Sequence, residues 1–125
     1  MPKKILFADD DPAIRMLLKS NLEARGYYSI GCSDGEQVLE TISTQKPDMI
    51  ILDVKMPGLD GFGIYALLQG TKSLSEIPVI VISGDADMQK LFPDADSMQM
   101  KLCINKPFDI DYLMSKVQEI VGPAT

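Results

Sequence analysis

No histidine and no tryptophan occur anywhere in the 125 residues. Without histidine the chain has no side chain whose ordinary pKa lies near neutrality, which excludes Ser-His-Asp and Cys-His catalysis and removes a common ligand of zinc. Cysteine is almost as scarce: Cys32 and Cys103 lie far apart with no Cys-x-x-Cys pair, so neither metal-thiolate nor disulfide chemistry is indicated. No apolar run approaches the ~20 residues of a membrane span, and the start Met1-Pro2-Lys3-Lys4 lacks the apolar region of a signal peptide, so the expected location is the cytoplasm. Positive charge is the minority sign: 12 Lys+Arg face 18 Asp+Glu for a net charge of -6. That balance argues against binding nucleic acid or a membrane surface and fits a basic partner or a metal cation. Any chemistry belongs to carboxylates, lysines, hydroxyls and backbone amides.

What is present is the composition of a soluble globular protein, 46% hydrophobic and 24% charged, in a length that suits one domain over 1–125. Apolar runs of strand length alternate with segments of helical spacing, the pattern of repeated βα units and a parallel sheet. The first strand is Ile5-Leu6-Phe7-Ala8; Asp11-Pro12 then reads as a helix cap followed by proline at the first helical position, with Ile14, Leu17, Leu18 and Leu22 facing inward. Tyr28, Ile30 and Cys32 alternate as an edge strand, and Ser33-x-x-Glu36 reads as a capping box opening a helix with Val38, Leu39 and Ile42 inward. Met49-Ile50-Ile51-Leu52 is a strand covered on both faces and ending at Asp53, before a third helix with Ile64, Leu67 and Leu68. Pro78 to Ile82 form a fourth strand ending at Ser83, and Leu102-Cys103-Ile104 a fifth ending before Lys106. A last helix opens near Asp109, while Pro93 falls inside the expected fourth helix and should make it irregular. The expectation is therefore an α/β domain of five strands and five helices.

In an open parallel sheet the carboxyl ends of the strands share one edge, where ligands bind. The sequence sends Asp9 and Asp10, Asp53, Ser83 and Lys106 there. Each has a bland explanation in capping, turn or strand-stop chemistry. Their conjunction does not: like charges ~4 Å apart repel by about 4 kcal/mol at an effective dielectric near 20, so three carboxylates on one edge need compensation. Lys106 supplies one positive charge, and a hard divalent cation with oxygen ligands would supply the rest.

The set Ile5-Leu6-Phe7-Ala8-Asp9-Asp10-Asp11, Leu52-Asp53-x-x-Met56-Pro57-Gly58-x-Asp60-Gly61, Ile77-Pro78-Val79-Ile80-x-x-Ser83 and Lys106-Pro107-Phe108 resembles the receiver domain of bacterial two-component response regulators over nearly all the chain. The resemblance implies a three-layer, doubly wound, flavodoxin-like sheet of strand order 2-1-3-4-5. It implies that Asp53 is the phosphoacceptor for a sensor histidine kinase or phosphotransfer protein, with Mg²⁺ held by Asp9, Asp10, Asp53 and the backbone carbonyl of Lys55. Ser83 and Lys106 would bind phosphoryl oxygens, helped by the amides of Lys55 and Gly84. Output would pass through the face of the fourth helix, fifth strand and fifth helix to a downstream target or output domain, or through a phosphorylation-dependent homodimer. The expectation is a single receiver with no output domain, either stand-alone or cut from a longer regulator, catalysing only its own phosphorylation and dephosphorylation. It departs from the family at Cys103, where an aromatic residue usually stands, and at Gln99 and Met100, where small residues do.

Two rivals come from other classes. Asp9-x-Asp11 mimics the motif of Mg²⁺-dependent aspartate-nucleophile phosphohydrolases, although Pro12-Ala13 follows where threonine or valine is wanted. The other rival is a flavodoxin-like cofactor carrier or a non-phosphorylated binding module; a carrier would need a phosphate loop rich in glycine, serine or threonine, and the acidic crevice repels a nucleotide.

Overall fold

The computed structural model describes residues 2–53, 61–71, 74–83 and 100–124. Five strands, β1 (Lys4–Ala8), β2 (Tyr28–Cys32), β3 (Met49–Asp53), β4 (Val79–Ser83) and β5 (Met100–Asn105), form one sheet in the order β2-β1-β3-β4-β5. Every pairing in it is parallel. Helices α1 (Pro12–Ala24), α2 (Gly35–Gln45), α3 (Gly61–Gly70) and α4 (Ile110–Val121) complete the described elements. The expected helix around Pro93 lies outside the described residues, as do Lys55, Gly84, Gln99 and the 56–60 turn.

Strand residues alternate between faces, and the apolar runs therefore build two cores rather than one. Leu6, Ala8, Ile50, Leu52, Val79 and Val81 pack with Val38 and Ile42 of α2 and Ile64 and Leu68 of α3. Their neighbours Ile5, Phe7, Met49, Ile51, Ile80 and Ile82 pack on the other face with Leu18 and Leu22 of α1 and Leu113, Met114 and Val117 of α4. Three layers follow. Cys32 and Cys103 sit on the two opposite edge strands, four strand spacings or about 19 Å apart, far beyond the reach of a disulfide.

Three local expectations are corrected. Leu17 and Leu67 are not core residues; they are 41% and 49% exposed. Each helix buries a stripe spaced by four, Leu18 with Leu22 and Ile64 with Leu68, and a position beside that stripe is rotated by about 100° toward solvent. The cap of α2 is Asp34 rather than Ser33: Asp34 Oδ1 accepts from the Gln37 amide at 2.9 Å, and Gln37 Oε1 reaches back to accept from the Ser33 amide at 2.8 Å. The Ser33-x-x-Glu36 box is therefore not formed: Asp34 caps the helix, and Gln37 reaches back to the amide of the residue before the cap. Asp11 and Asp109 cap α1 and α4 as their sequence contexts indicate.

Two contacts lock the elements together. Gly31 on β2 is required by the Phe7 ring, since a Cβ there would lie 2.9 Å from two ring carbons of a buried side chain. Tyr27 is buried and donates from its hydroxyl to the Gly122 carbonyl at 2.7 Å, tying the exit of α4 to the entry of β2. Burial holds the Tyr27 phenol above its usual value, against a smaller downward pull from Arg25.

Gly31→Ala should cost about 1–3 kcal/mol by overpacking, read as a lowered urea midpoint. Tyr27→Phe should cost about 1 kcal/mol at pH 7 through the lost hydrogen bond. The unfolded phenol ionises near pH 10 and the folded one above it, so this stabilisation is complete below about pH 10 and lost as pH rises through the folded value. Denaturation curves of the two proteins should converge there; a gap that stays constant to pH 11 would contradict the burial argument.

Candidate functional site

The register of the sheet brings four strand ends to one place. Ala8 pairs with Leu52 and with Cys32, so Asp9 emerges beside Asp53. Ser83 ends β4 opposite Asn105, and the Lys106 amide donates to the Ser83 carbonyl at 2.8 Å. The chain then enters the cis peptide between Lys106 and Pro107. Asp9, Asp53 and Ser83 are buried polar residues at 1%, 3% and 1% exposure; Asp10 is exposed and Lys106 half-buried.

Lys106 Nζ lies 2.9 Å from Asp9 Oδ2 and donates to Asp53 Oδ2 at 3.2 Å. One carboxylate oxygen from each of Asp9, Asp10 and Asp53 lies within 4.8 Å of the others. Burial pulls the Lys106 ammonium's pKa down, but its contacts with the two carboxylates and their charges outweigh this and hold it above the ordinary lysine value. The lysine is therefore a fixed cation at neutral pH.

One ammonium offsets one of three negative charges. Asp9 Oδ1 accepts from the Asp11 amide at 2.9 Å, whereas the buried Oδ2 has no aligned hydrogen-bond donor among the described residues, although the Lys106 ammonium lies 2.9 Å away. An all-oxygen donor set, incomplete neutralisation and an unaligned buried oxygen fit a hard divalent cation such as Mg²⁺. Zinc, which prefers nitrogen and sulfur ligands, is a poorer match.

Asp9, Asp10, Asp53, Ser83 and Lys106 thus meet as the sequence indicates, while the expected Lys55 carbonyl and the Lys55 and Gly84 amides lie outside the described residues. Asp11 does not join them: its Oδ1 accepts from the Ala13 amide at 2.9 Å and serves as the helix cap, which undercuts the Asp-x-Asp motif of a phosphohydrolase. Sequence reasoning missed two features. Arg15 donates from Nη1 to the Asp9 carbonyl at 2.8 Å, and its signal was a cation near a helix N-terminus, where the dipole disfavours one. A mainly apolar groove of about 360 Å³, lined by Ile14, Leu17, Lys106, Pro107 and Phe108, opens beside the site. Its signal was two successive leucines where the core stripe of α1 needs one.

Three carboxylates, two of them bridged by a lysine, at the carboxyl edge of a five-stranded parallel sheet are the architecture of a phosphoacceptor site. The family model described as the response regulator receiver domain matches residues 5–118, and the chain belongs to that family. It is 41% identical over 73% of its length to the alkaline phosphatase synthesis transcriptional regulatory protein PhoP of Bacillus subtilis, of which it spans 38%. It is 29% identical to the sporulation initiation phosphotransferase F of the same organism, covering 95% of this chain and 94% of that one. The solved receiver domain of the Francisella response regulator 1452 superposes with a TM-score of 0.83 at 31% identity, covering 97% of both chains. None of these findings favours the phosphohydrolase.

Lys106→Met should lower the stability of the Mg²⁺-free protein by about 2–3 kcal/mol, because it leaves Asp9 and Asp53 facing each other without their cation. Denaturation with and without Mg²⁺ checks this: the loss should shrink when the ion is present, and no loss without it would contradict the assigned role.

Proposed function

We propose that this receiver domain takes a phosphoryl group on Asp53 from the phosphohistidine of a sensor histidine kinase or phosphotransfer protein, in a Mg²⁺-dependent reaction in the cytoplasm. The observation that carries the reading is the Asp53 carboxylate, buried at the end of a central strand, with Lys106 Nζ 3.2 Å away and the Asp9 and Asp10 carboxylates around it. A carboxylate oxygen of Asp53 attacks phosphorus, forming the O–P bond as the P–N bond to the donor imidazole breaks. Transfer through a loose transition state asks for positioning and charge neutralisation rather than covalent help. Strand β3, covered on both faces, fixes the nucleophile; Lys106 and the Ser83 hydroxyl take the phosphoryl oxygens. Asp9, Asp10 and Asp53 would hold Mg²⁺, with the Lys55 carbonyl as the resemblance implies, and the ion would supply the remaining positive charge.

The groove of Ile14, Leu17, Pro107 and Phe108 beside Lys106 is the surface we assign to the phosphodonor, since it places an apolar partner face next to the nucleophile. Output leaves through the face of the expected fourth helix, β5 and α4, and the bond from the Lys106 amide to the Ser83 carbonyl ties the end of β5 to the end of β4 beside the site. The domain turns over its own aspartyl phosphate and acts on no other substrate.

Intact mass after treatment with acetyl phosphate and Mg²⁺ should show one added phosphoryl group. Asp53→Asn or EDTA should reduce it to background, because the amide is a poor nucleophile and a lost ligand. An adduct surviving either treatment would overturn the assignment.

A further inference from the structure

We propose that Arg15 is a positioning residue that aims the Asp10 carboxylate by holding the carbonyl of Asp9. The inference rests on reading Asp9, Asp10 and Asp53 as the metal-binding carboxylates. Asp9 is held at four points. Its amide donates to the Cys32 carbonyl of β2 at 3.2 Å, its Oδ1 accepts from the Asp11 amide at 2.9 Å, its Oδ2 faces Lys106 Nζ at 2.9 Å, and its carbonyl accepts from Arg15 Nη1 at 2.8 Å.

The fourth contact differs from the rest because the Asp9 carbonyl belongs to the peptide unit that carries Asp10. That unit is planar, so holding its oxygen fixes the orientation of the Asp10 N–Cα bond and narrows the directions in which the Asp10 side chain can leave the strand. Asp10 needs such help. It is exposed, and among the described residues no hydrogen bond or ion pair holds its carboxylate, yet one of its oxygens lies within 4.8 Å of ligand oxygens of Asp9 and Asp53. Its aim therefore depends on its backbone. Arg15 stands near the start of α1, an unfavourable place for a cation, and spends a donor on a neutral carbonyl.

The sign of the effect separates positioning from charge. Deleting a bystander cation near a metal site tightens metal binding by removing repulsion; deleting a positioning residue loosens it. Calorimetric titration with Mg²⁺ alone should show Kd for Arg15→Met weakened about tenfold, as for other groups that orient a metal ligand without touching the metal. Arg15→Lys, which keeps the charge and one donor, should recover part of that loss. In an Asp10→Asn background the Arg15→Met effect should vanish, which a general loss of structure would not produce. Unchanged or tighter binding by Arg15→Met, no recovery by Arg15→Lys, or an effect that persists in Asp10→Asn would each overturn the inference while leaving the reading of the site intact. A wild-type protein that fails to bind Mg²⁺ would overturn both.

Discussion

Electrostatic repulsion at one sheet edge is the constraint on which the rest of this molecule depends. Two carboxylates buried at the ends of neighbouring strands, with a third beside them, would not stay together in an unmodified apolar fold. Lys106 makes the arrangement tolerable by reaching both buried acids, and its own charge is secured in return. The compensation is partial. The unspent negative charge is what makes the edge a fit for a hard divalent cation.

The apolar strands supply the rigidity that such a charge cluster requires. β3 is buried along its whole length and is the central strand, between β1 and β4, so Asp53 ends a strand supported on both sides and both faces. Because strand side chains alternate, each strand contributes to both cores, and displacing one would disrupt packing on two faces. Function sits where this order stops. The last ladder pairs lie at Ala8, Asp53 and Ser83, and the polar groups begin at or just beyond them.

Around the carboxylates, contacts that look merely structural converge on Asp9. The turn into α1 gives it the Asp11 amide, β2 gives it the Cys32 carbonyl, and α1 sends back Arg15. The neighbouring face of α1 turns Ile14 and Leu17 toward a groove that also contains Lys106. One helix therefore helps shape the acidic pocket and the apolar surface next to it. Its amino-terminal half serves the site, and Leu18 and Leu22 serve the core.

Much of this was legible in the sequence because it is written in local rules. Strand runs ending in Asp53 and Ser83, the Asp11-Pro12 and Asp109 helix starts, and the pairing of acids with a late lysine all follow from periodicity, capping and charge. The strand order came from resemblance, since propensities carry no information about which parallel strands are neighbours. What only the tertiary structure decided was direction and reach. Leu17 and Leu67 face outward because a helix's rotation against its own sheet, not its apolar content, selects the buried stripe. The cap of α2 fell on Asp34, whose carboxylate accepts from the Gln37 amide, while the Ser33 hydroxyl donates to the Gln37 side chain instead. Asp9 is buried against Lys106 and Asp10 is exposed, yet a carboxylate oxygen of each comes within 4.8 Å of the other, a convergence that adjacency in sequence does not specify. Sequence determined which chemistry the chain could carry; the fold determined which of those groups touch.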